Sequence, residues 1–256
     1  PHDRDAGWTY TNVPRRLTAV DYERARGWLI DRVRTREDVA AVFEYGSCGA
    51  PGLSDLDVIV VLSETPRPNI ADYLGRAQWP AGFDAVLDGA TLMIMSETDF
   101  PRILCWDDVE LVQRWGRPLP VHPVEAAAAR FTEGCRIVDW LPWHVSRLAR
   151  LQQHRQLPLR RTTGLLHSLT YSLRRLDAVF GIRRPAWEAY SAQVQSLRQR
   201  WFADPEAGRS LCAGLVLEAH HVARQALEIF CREIAGTPEW YGADASGCFG
   251  RLLVPG

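Results

Sequence analysis

Residues 45–62 have the sequence YGSCGAPGLSDLDVIVVL and join two runs that predict β-strands, over residues 39–45 and over residues 56–62. Both runs are largely apolar and contain the β-branched and aromatic side chains that favour strands. The loop between them begins with Gly46 and Ser47. Such a turn can present backbone N–H groups and a hydroxyl to phosphate oxygens, because glycine leaves no side chain in the way. The loop is therefore a candidate phosphate-binding element.

Two aspartates stand where the loop enters the second predicted strand. Side chains alternate between the two faces of a strand, so Asp55 and Asp57 are expected on one face while Leu56 points into a core. Carboxylate oxygens suit Mg²⁺ and Mn²⁺. The pair could therefore hold one or two divalent cations.

The glycine–serine turn followed by an Asp-x-Asp pair resembles the signature of the nucleotidyltransferase superfamily. That superfamily includes DNA polymerase β and the small-molecule (aminoglycoside-type) nucleotidyltransferases. The matching residues here are Gly46, Ser47, Ser54, Asp55 and Asp57. The pattern extends weakly over residues 20–119. The resemblance implies transfer of a nucleoside monophosphate from an NTP, with ATP the expected donor, to a hydroxyl of a small-molecule acceptor, with release of pyrophosphate.

The resemblance also implies roles for individual residues. Asp55 and Asp57 would be the catalytic metal ligands, with Mg²⁺ or Mn²⁺ as the cation. Gly46, Ser47 and Ser54 would contact the nucleotide. Cations from the C-terminal half would lie near the triphosphate, and the candidates are Arg160, Arg161, Arg174 and Arg175, with Arg174 taken as a nucleotide-binding residue.

A third acidic residue of that superfamily is missing from its expected place. Residues 83–87 and 90–95 predict two strands of a hairpin around the turn Asp88-Gly89. In the superfamily the second of these strands commonly donates a carboxylate that binds metal and deprotonates the acceptor hydroxyl. The matching position is Thr91, or Met93 after a two-residue slip. The base would then come from elsewhere, and the candidates are Asp84, Asp88, Glu97, His167, Asp177, Glu188, Glu218, His220 and His221.

The fold class expected from the whole chain is α+β. Its 256 residues are 46% hydrophobic and 24% charged, which is typical of a globular protein. Residues 1–120 predict a small nucleotidyltransferase-like α/β domain with a mixed sheet, in which a helix from Thr18 packs beside the sheet. Prolines near residue 120 predict a stiff connector. Residues 124–256 carry four amphipathic patterns separated by Gly or Pro, which predict a helical bundle.

Charge and composition exclude several classes of function. All 30 basic residues are arginine, so no mechanism that needs a lysine is available, and the net charge of −1 gives no reason to expect a nucleic-acid partner. No apolar run is long enough to span a membrane. The first residues lack a signal-peptide core, so a cytoplasmic location is expected. The six cysteines show no zinc-like spacing, and Cys48 is the one that a helix N-terminus could make reactive.

Two other functions stay open at this point. The missing third carboxylate is compatible with a catalytically idle nucleotidyltransferase-like module that binds a nucleotide or a protein. A helical domain after this type of fold also occurs in transferases that act on tRNA or protein. A homodimer is a further open possibility.

Overall fold

The computed structural model describes residues 7–46, 48–63, 70–87, 92–105, 110–119 and 126–233, with the backbone alone for a few of them. Ser47, Asp88 and Thr91 lie outside the described residues, as do residues 120–125, where the division between the two domains is predicted. The described residues form an α+β structure with a four-stranded mixed sheet and five helices of at least fifteen residues.

The helices and strands follow one another in a simple order. They are β1 (Thr9–Thr11), α1 (Ala19–Val33), β2 (Val39–Tyr45), β3 (Asp57–Leu62), α2 (Ile70–Leu74), β4 (Leu92–Ser96), β5 (Leu111–Gly116), α3 (Ala126–His154), β6 (Gln156–Pro158), α4 (Leu159–Phe180), α5 (Pro185–Arg200) and α6 (Pro205–Glu233). The two strands predicted around the signature loop are confirmed. The helix expected from Thr18 is confirmed too, and Thr18 caps it through a reciprocal contact with Asp21.

The sheet has the strand order β4-β3-β2-β5. Strand β2 is antiparallel to both β3 and β5, whereas β3 and β4 run parallel. One face of the sheet buries Leu56, Val58 and Val60 in a cluster with α1. The other face buries Ile59 and Val61 in a second cluster. The alternation expected for this strand is therefore present, with Leu56 pointing into the core on the α1 side.

The prediction of a hairpin around Asp88-Gly89 is wrong for the first strand, which does not form. Residues Phe83–Ala85 form a 3₁₀ turn that begins after Gly82, whose φ is +86°. This segment is apolar because it packs under α1: the Phe83 ring meets Trp28 edge-on at 5.8 Å between centroids, and Val86 and Leu87 are buried. The second predicted strand does form, over Leu92–Ser96, but it pairs in parallel with β3.

The four long C-terminal helices pack on one another around a third apolar cluster. The predicted apolar stripes supply its buried side chains, among them Ile137, Leu141, Leu169, Tyr190 and Val194. Helix α4 ends at Phe180. Gly181 follows with a φ of +67°, which lets its own amide bond back to the carbonyl of Asp177 and the amide of Ile182 to that of Leu176.

The N-terminal segment forms β1 and pairs in parallel with β6, the link between α3 and α4. A pairing partner almost 150 residues away leaves no local pattern in the sequence. Among the described residues, no helix is long and apolar enough to cross a bilayer.

Candidate active site

The two signature aspartates lie beside the turn that precedes them. Asp57 is the first residue of β3 and pairs with Tyr45 at the end of β2. The next residue, Gly46, has a φ of +72°, and a Cβ built on it would lie 3.4 Å from Asp57 Oδ2. The loop thus brings the Gly46 backbone against the Asp57 carboxyl group.

The Asp57 carboxyl group is in an environment that disfavours its negative charge. Burial, together with the nearby carboxylates of Asp55 and Glu44, raises its pKa to about 7. Among the described residues, none donates a hydrogen bond or forms an ion pair to this carboxyl group. A bound cation would offset both the cost of burying this negative charge and its repulsion by the neighbouring carboxylates. Asp55 and Asp57 therefore suit a divalent metal chemically.

Asp55 has a cationic partner that the sequence did not identify. Arg160, the second residue of α4, forms an ion pair with Asp55 and also donates from Nη1 to the carbonyl of Asp84 over 3.1 Å. Its side chain is buried, with 7% exposed, while that of Asp55 is 30% exposed. Arg160 was one of four candidate arginines, but nothing in the sequence separated it from the others.

Ser54 holds the loop to both halves of the molecule. Its hydroxyl accepts a hydrogen bond from Arg198 Nη2 in α5 over 2.9 Å and from the amide of Ala50 over 3.3 Å. Its carbonyl accepts from the hydroxyl of Tyr22 in α1 over 2.7 Å. Burial lowers the pKa of Arg198, although Asp55 and two tyrosines favour its charge. Arg198 was not among the sequence candidates, because it looked like one of many helix arginines.

Arg174, the arginine chosen from the sequence, has its described contacts within α4. Its guanidinium stacks over the Tyr171 ring at 4.5 Å, and the Tyr171 hydroxyl is 3.2 Å from His167 Nε2. Burial, Arg198 and Arg174 together lower the pKa of His167 to about 4. The ring is therefore neutral at pH 7.

The other candidate arginines have different surroundings. Arg175 is buried and forms an ion pair with Glu133 over 2.6 Å. Arg161 is exposed and lines a small polar cavity of about 20 Å³ beside Arg76 and Arg160.

A buried glutamate on β2 also affects the site and was missed in the sequence. Glu44 accepts from Arg26 Nε and Arg114 Nε, each over 2.8 Å. Burial opposes ionisation, but these two arginines lower the pKa of Glu44 overall. Glu44 therefore stays charged and adds to the repulsion on Asp57. An acidic residue within an apolar strand was the signal that could have found it.

Neither described candidate on β4 or directly after it supplies a third carboxylate beside the aspartates. Thr91 and Asp88 lie outside the described residues, and Met93 pairs with Ile59 in an apolar cluster. Glu97 bonds through its amide to Leu62 at the far end of β3 and forms an ion pair with Arg117. Among the described residues, no three His, Cys, Asp or Glu side chains are grouped to hold a metal.

The remaining candidate bases from the helices have separate partners. Asp177 and Glu188 face Arg183, and Glu218 faces the amide of Gln193. His220 and His221 line a groove of about 380 Å³ between α3 and α6.

The possibility of a reactive cysteine in the loop is not supported. Cys48 is half-buried, and burial together with the neighbouring Glu44 raises its pKa to about 11. The thiol is therefore protonated at neutral pH.

Comparison with known proteins adds no family to this picture. No protein-family model matches the chain, and no curated protein matches it. The function must be argued from the site itself.

Proposed function

We propose that the chain is a metal-dependent nucleotidyltransferase. It would move an NMP group from an NTP, with ATP the first donor to try, to a hydroxyl of a small molecule and release pyrophosphate. The observation that carries the proposal is the Asp57 carboxyl group, which lies against the Gly46 backbone with a pKa of about 7 because of burial, Asp55 and Glu44. The proposal includes the finer fold, a nucleotidyltransferase-like domain followed by a helical bundle, and a cytoplasmic location.

Asp55 and Asp57 would hold the cation. Two carboxylates are enough for Mg²⁺, which is commonly bound by one or two of them together with water and substrate phosphates. The bound cation would neutralise charge that develops on the attacking and leaving oxygens.

The chain's own groups would position the triphosphate. Gly46 exposes its backbone in a left-handed turn, where phosphate oxygens can approach closely. Arg160 brings a buried guanidinium group from α4 to the loop, and Arg198 brings a partly buried one from α5. Guanidinium forks suit phosphate, and no lysine exists to take that role.

The acceptor would lie on the α4 side of the loop. Its hydroxyl would attack the α-phosphorus, and the bond to the bridging oxygen of the β-phosphate would break. His167 is the favoured base among the candidates, because its ring is neutral at pH 7 and lies by Tyr171 and two arginines. Negative charge on a bound triphosphate would raise the proton affinity of this ring.

The Asp57→Asn variant tests the proposal. It removes one cation ligand and keeps the side-chain volume, so we expect pyrophosphate release to fall at least about a hundredfold. The assay uses each of the four NTPs, Mg²⁺ or Mn²⁺, and a panel of hydroxyl-bearing small molecules.

The matched control is Asp31→Asn, because Asp31 is an exposed aspartate of α1 that pairs only with the surface Arg34 among the described residues. This control should keep full turnover. Unchanged turnover in the Asp57→Asn protein would reject the proposal.

The idle binding module is the second candidate, and one observation favours it. The ion pair between Arg160 and Asp55 already supplies one of the two aspartates with a positive charge. In an idle module this ion pair would be permanent. Such a protein would bind an NTP without a divalent cation and would release no pyrophosphate, even with cell extract as the source of acceptor.

A further inference from the structure

Arg160 is held over Asp55 by several contacts. Its backbone N–H donates to the carbonyl of Asn12 over 2.9 Å, which fixes the start of α4. Its Nη1 donates to the Asp84 carbonyl over 3.1 Å, and its Nη2 reaches Asp55 Oδ1. With only 7% of the side chain exposed, the guanidinium has little freedom to leave this position.

The same guanidinium still has an unused donor. Its Nε is buried and has no hydrogen-bond partner among the described residues. A buried donor without a partner costs free energy, particularly on a charged group. The protein thus carries a buried cation whose donors are only partly satisfied, beside an aspartate proposed to bind metal.

Arg160 and a divalent cation would compete for Asp55. Both are positive, and the guanidinium already occupies one oxygen of the carboxylate. An NTP changes this balance, because its phosphates supply the acceptors that the guanidinium lacks and enough negative charge for both cations.

We propose that Arg160 makes cation binding at Asp55 and Asp57 conditional on the nucleotide: it acts as the counter-charge of Asp55 in the empty site and as a phosphate ligand once an NTP is bound. This inference rests on the proposed function, since it needs the aspartates to be the cation site. It assigns Arg160 a positioning role and predicts that the protein takes up NTP and metal together.

The test measures Mn²⁺ binding without any turnover, by electron paramagnetic resonance of the free ion. In the absence of nucleotide, Arg160→Gln should bind Mn²⁺ about tenfold more tightly than the natural protein, because the competing charged hydrogen bond is gone. With a non-hydrolysable ATP analogue present, the natural protein should gain about tenfold more in Mn²⁺ affinity than Arg160→Gln does.

Arg198→Gln is the matched control, because Arg198 is a partly buried arginine near Asp55 that donates to Ser54 instead. In the absence of nucleotide it reports the general effect of removing one positive charge, and we expect less than about a threefold change in Mn²⁺ affinity. Arg160→Lys is the second variant: it keeps the charge and loses the fork, so its Mn²⁺ affinity should fall between those of the natural protein and Arg160→Gln. Far-UV circular dichroism checks that each variant is folded.

The outcomes separate the inference from the proposed function. Equal Mn²⁺ affinity in the natural protein and both folded Arg160 variants, with the cation bound tightly in all three, overturns the inference alone. No Mn²⁺ binding by any protein, with or without nucleotide, overturns the inference and the proposed function together.

Discussion

Gly46 is the residue on which the shape of the candidate site depends most. Its φ of +72° is a conformation that residues with a Cβ adopt at a cost of about 1–2 kcal/mol. A Cβ at this position would also stand 3.4 Å from the Asp57 carboxylate oxygen. A side chain here would therefore strain the turn and crowd the proposed cation ligand.

Substitution of Gly46 by alanine tests this geometry. We expect a loss of about 1 kcal/mol in the free energy of unfolding and a clear weakening of Mn²⁺ binding in the presence of an ATP analogue. Chemical denaturation and electron paramagnetic resonance measure the two effects.

Gly27→Ala is the comparison for that variant. Gly27 lies inside α1 with open space where a Cβ would stand, so alanine there should stabilise the protein by about 0.5–1 kcal/mol. Equal stability and equal Mn²⁺ affinity in the Gly46→Ala and natural proteins would contradict the proposed role of this turn.

At the scale of the elements, His144 joins α3 to α4. Its ring nitrogens lie 2.6 Å from the carbonyl of Trp140 and 2.7 Å from Ser168 Oγ. Burial lowers the pKa of His144 to about 4, against about 6.5 in the unfolded chain. The ring is therefore mostly neutral in the folded protein at pH values above about 4.

The sign of the pH dependence follows from proton binding. Between pH 6.5 and about 4 the unfolded chain binds a proton at His144 that the folded protein does not, so stability falls as the pH falls through this window. Urea denaturation followed by circular dichroism should show a lower midpoint at pH 5 than at pH 7. His144→Gln should flatten this slope, although it lowers stability at pH 7.

His221→Gln, at an exposed position on α6, is the control for the pH series. It should leave the slope as it is in the natural protein. A slope that is the same in His144→Gln as in the natural protein would show that His144 does not contribute to it.

At the scale of the whole molecule, the signature loop contacts the helices as well as the sheet. Leu53 is buried in the cluster formed by the C-terminal helices. Gly52 lies against the carbonyl of Arg15, where a Cβ would approach to 1.9 Å. The predicted division between residues 120 and 124 stays a prediction, but the two parts of the chain that it separates share this loop.

The N-terminal segment belongs to the same contact region. Trp8 is buried among the C-terminal helices under the guanidinium of Arg155, which lies 5.1 Å from its ring centroid. Strand β1 pairs with β6 directly before α4, the helix that carries Arg160. This segment therefore helps to fix the position of Arg160.

Trp8→Ala tests that connection. Removal of a buried tryptophan should lower the free energy of unfolding by about 3–5 kcal/mol, and it should weaken the contact of Arg160 with Asp55. Chemical denaturation measures the change in the free energy of unfolding. Mn²⁺ binding is the second readout, and it is measured under conditions in which the variant is folded.

Trp143→Ala is the matched control, since Trp143 of α3 is 44% exposed. This substitution should lower the free energy of unfolding by less than about 1 kcal/mol. An equal cost for the two substitutions would show that Trp8 does not anchor the segment.

Elements whose signal is local could be predicted from the amino-acid sequence. The strands on either side of the loop, the helix that Thr18 caps and the apolar stripes of the C-terminal helices each follow from alternation, capping or helical spacing within a few residues. Gly46 and Asp57 come from a turn and a strand that are close together in the chain, so their approach depends on local structure.

Only the tertiary structure decided which distant groups meet at that core. The segment around Phe83 looked like a strand because burial under α1 and burial in a sheet select the same apolar residues. Arg160 and Arg198 reach the site through contacts between elements far apart in the sequence, and Glu44, which lies next to the loop, is paired with Arg114 from the distant β5. The charge of a side chain shows in the sequence, but its partners depend on how the helices pack against the loop.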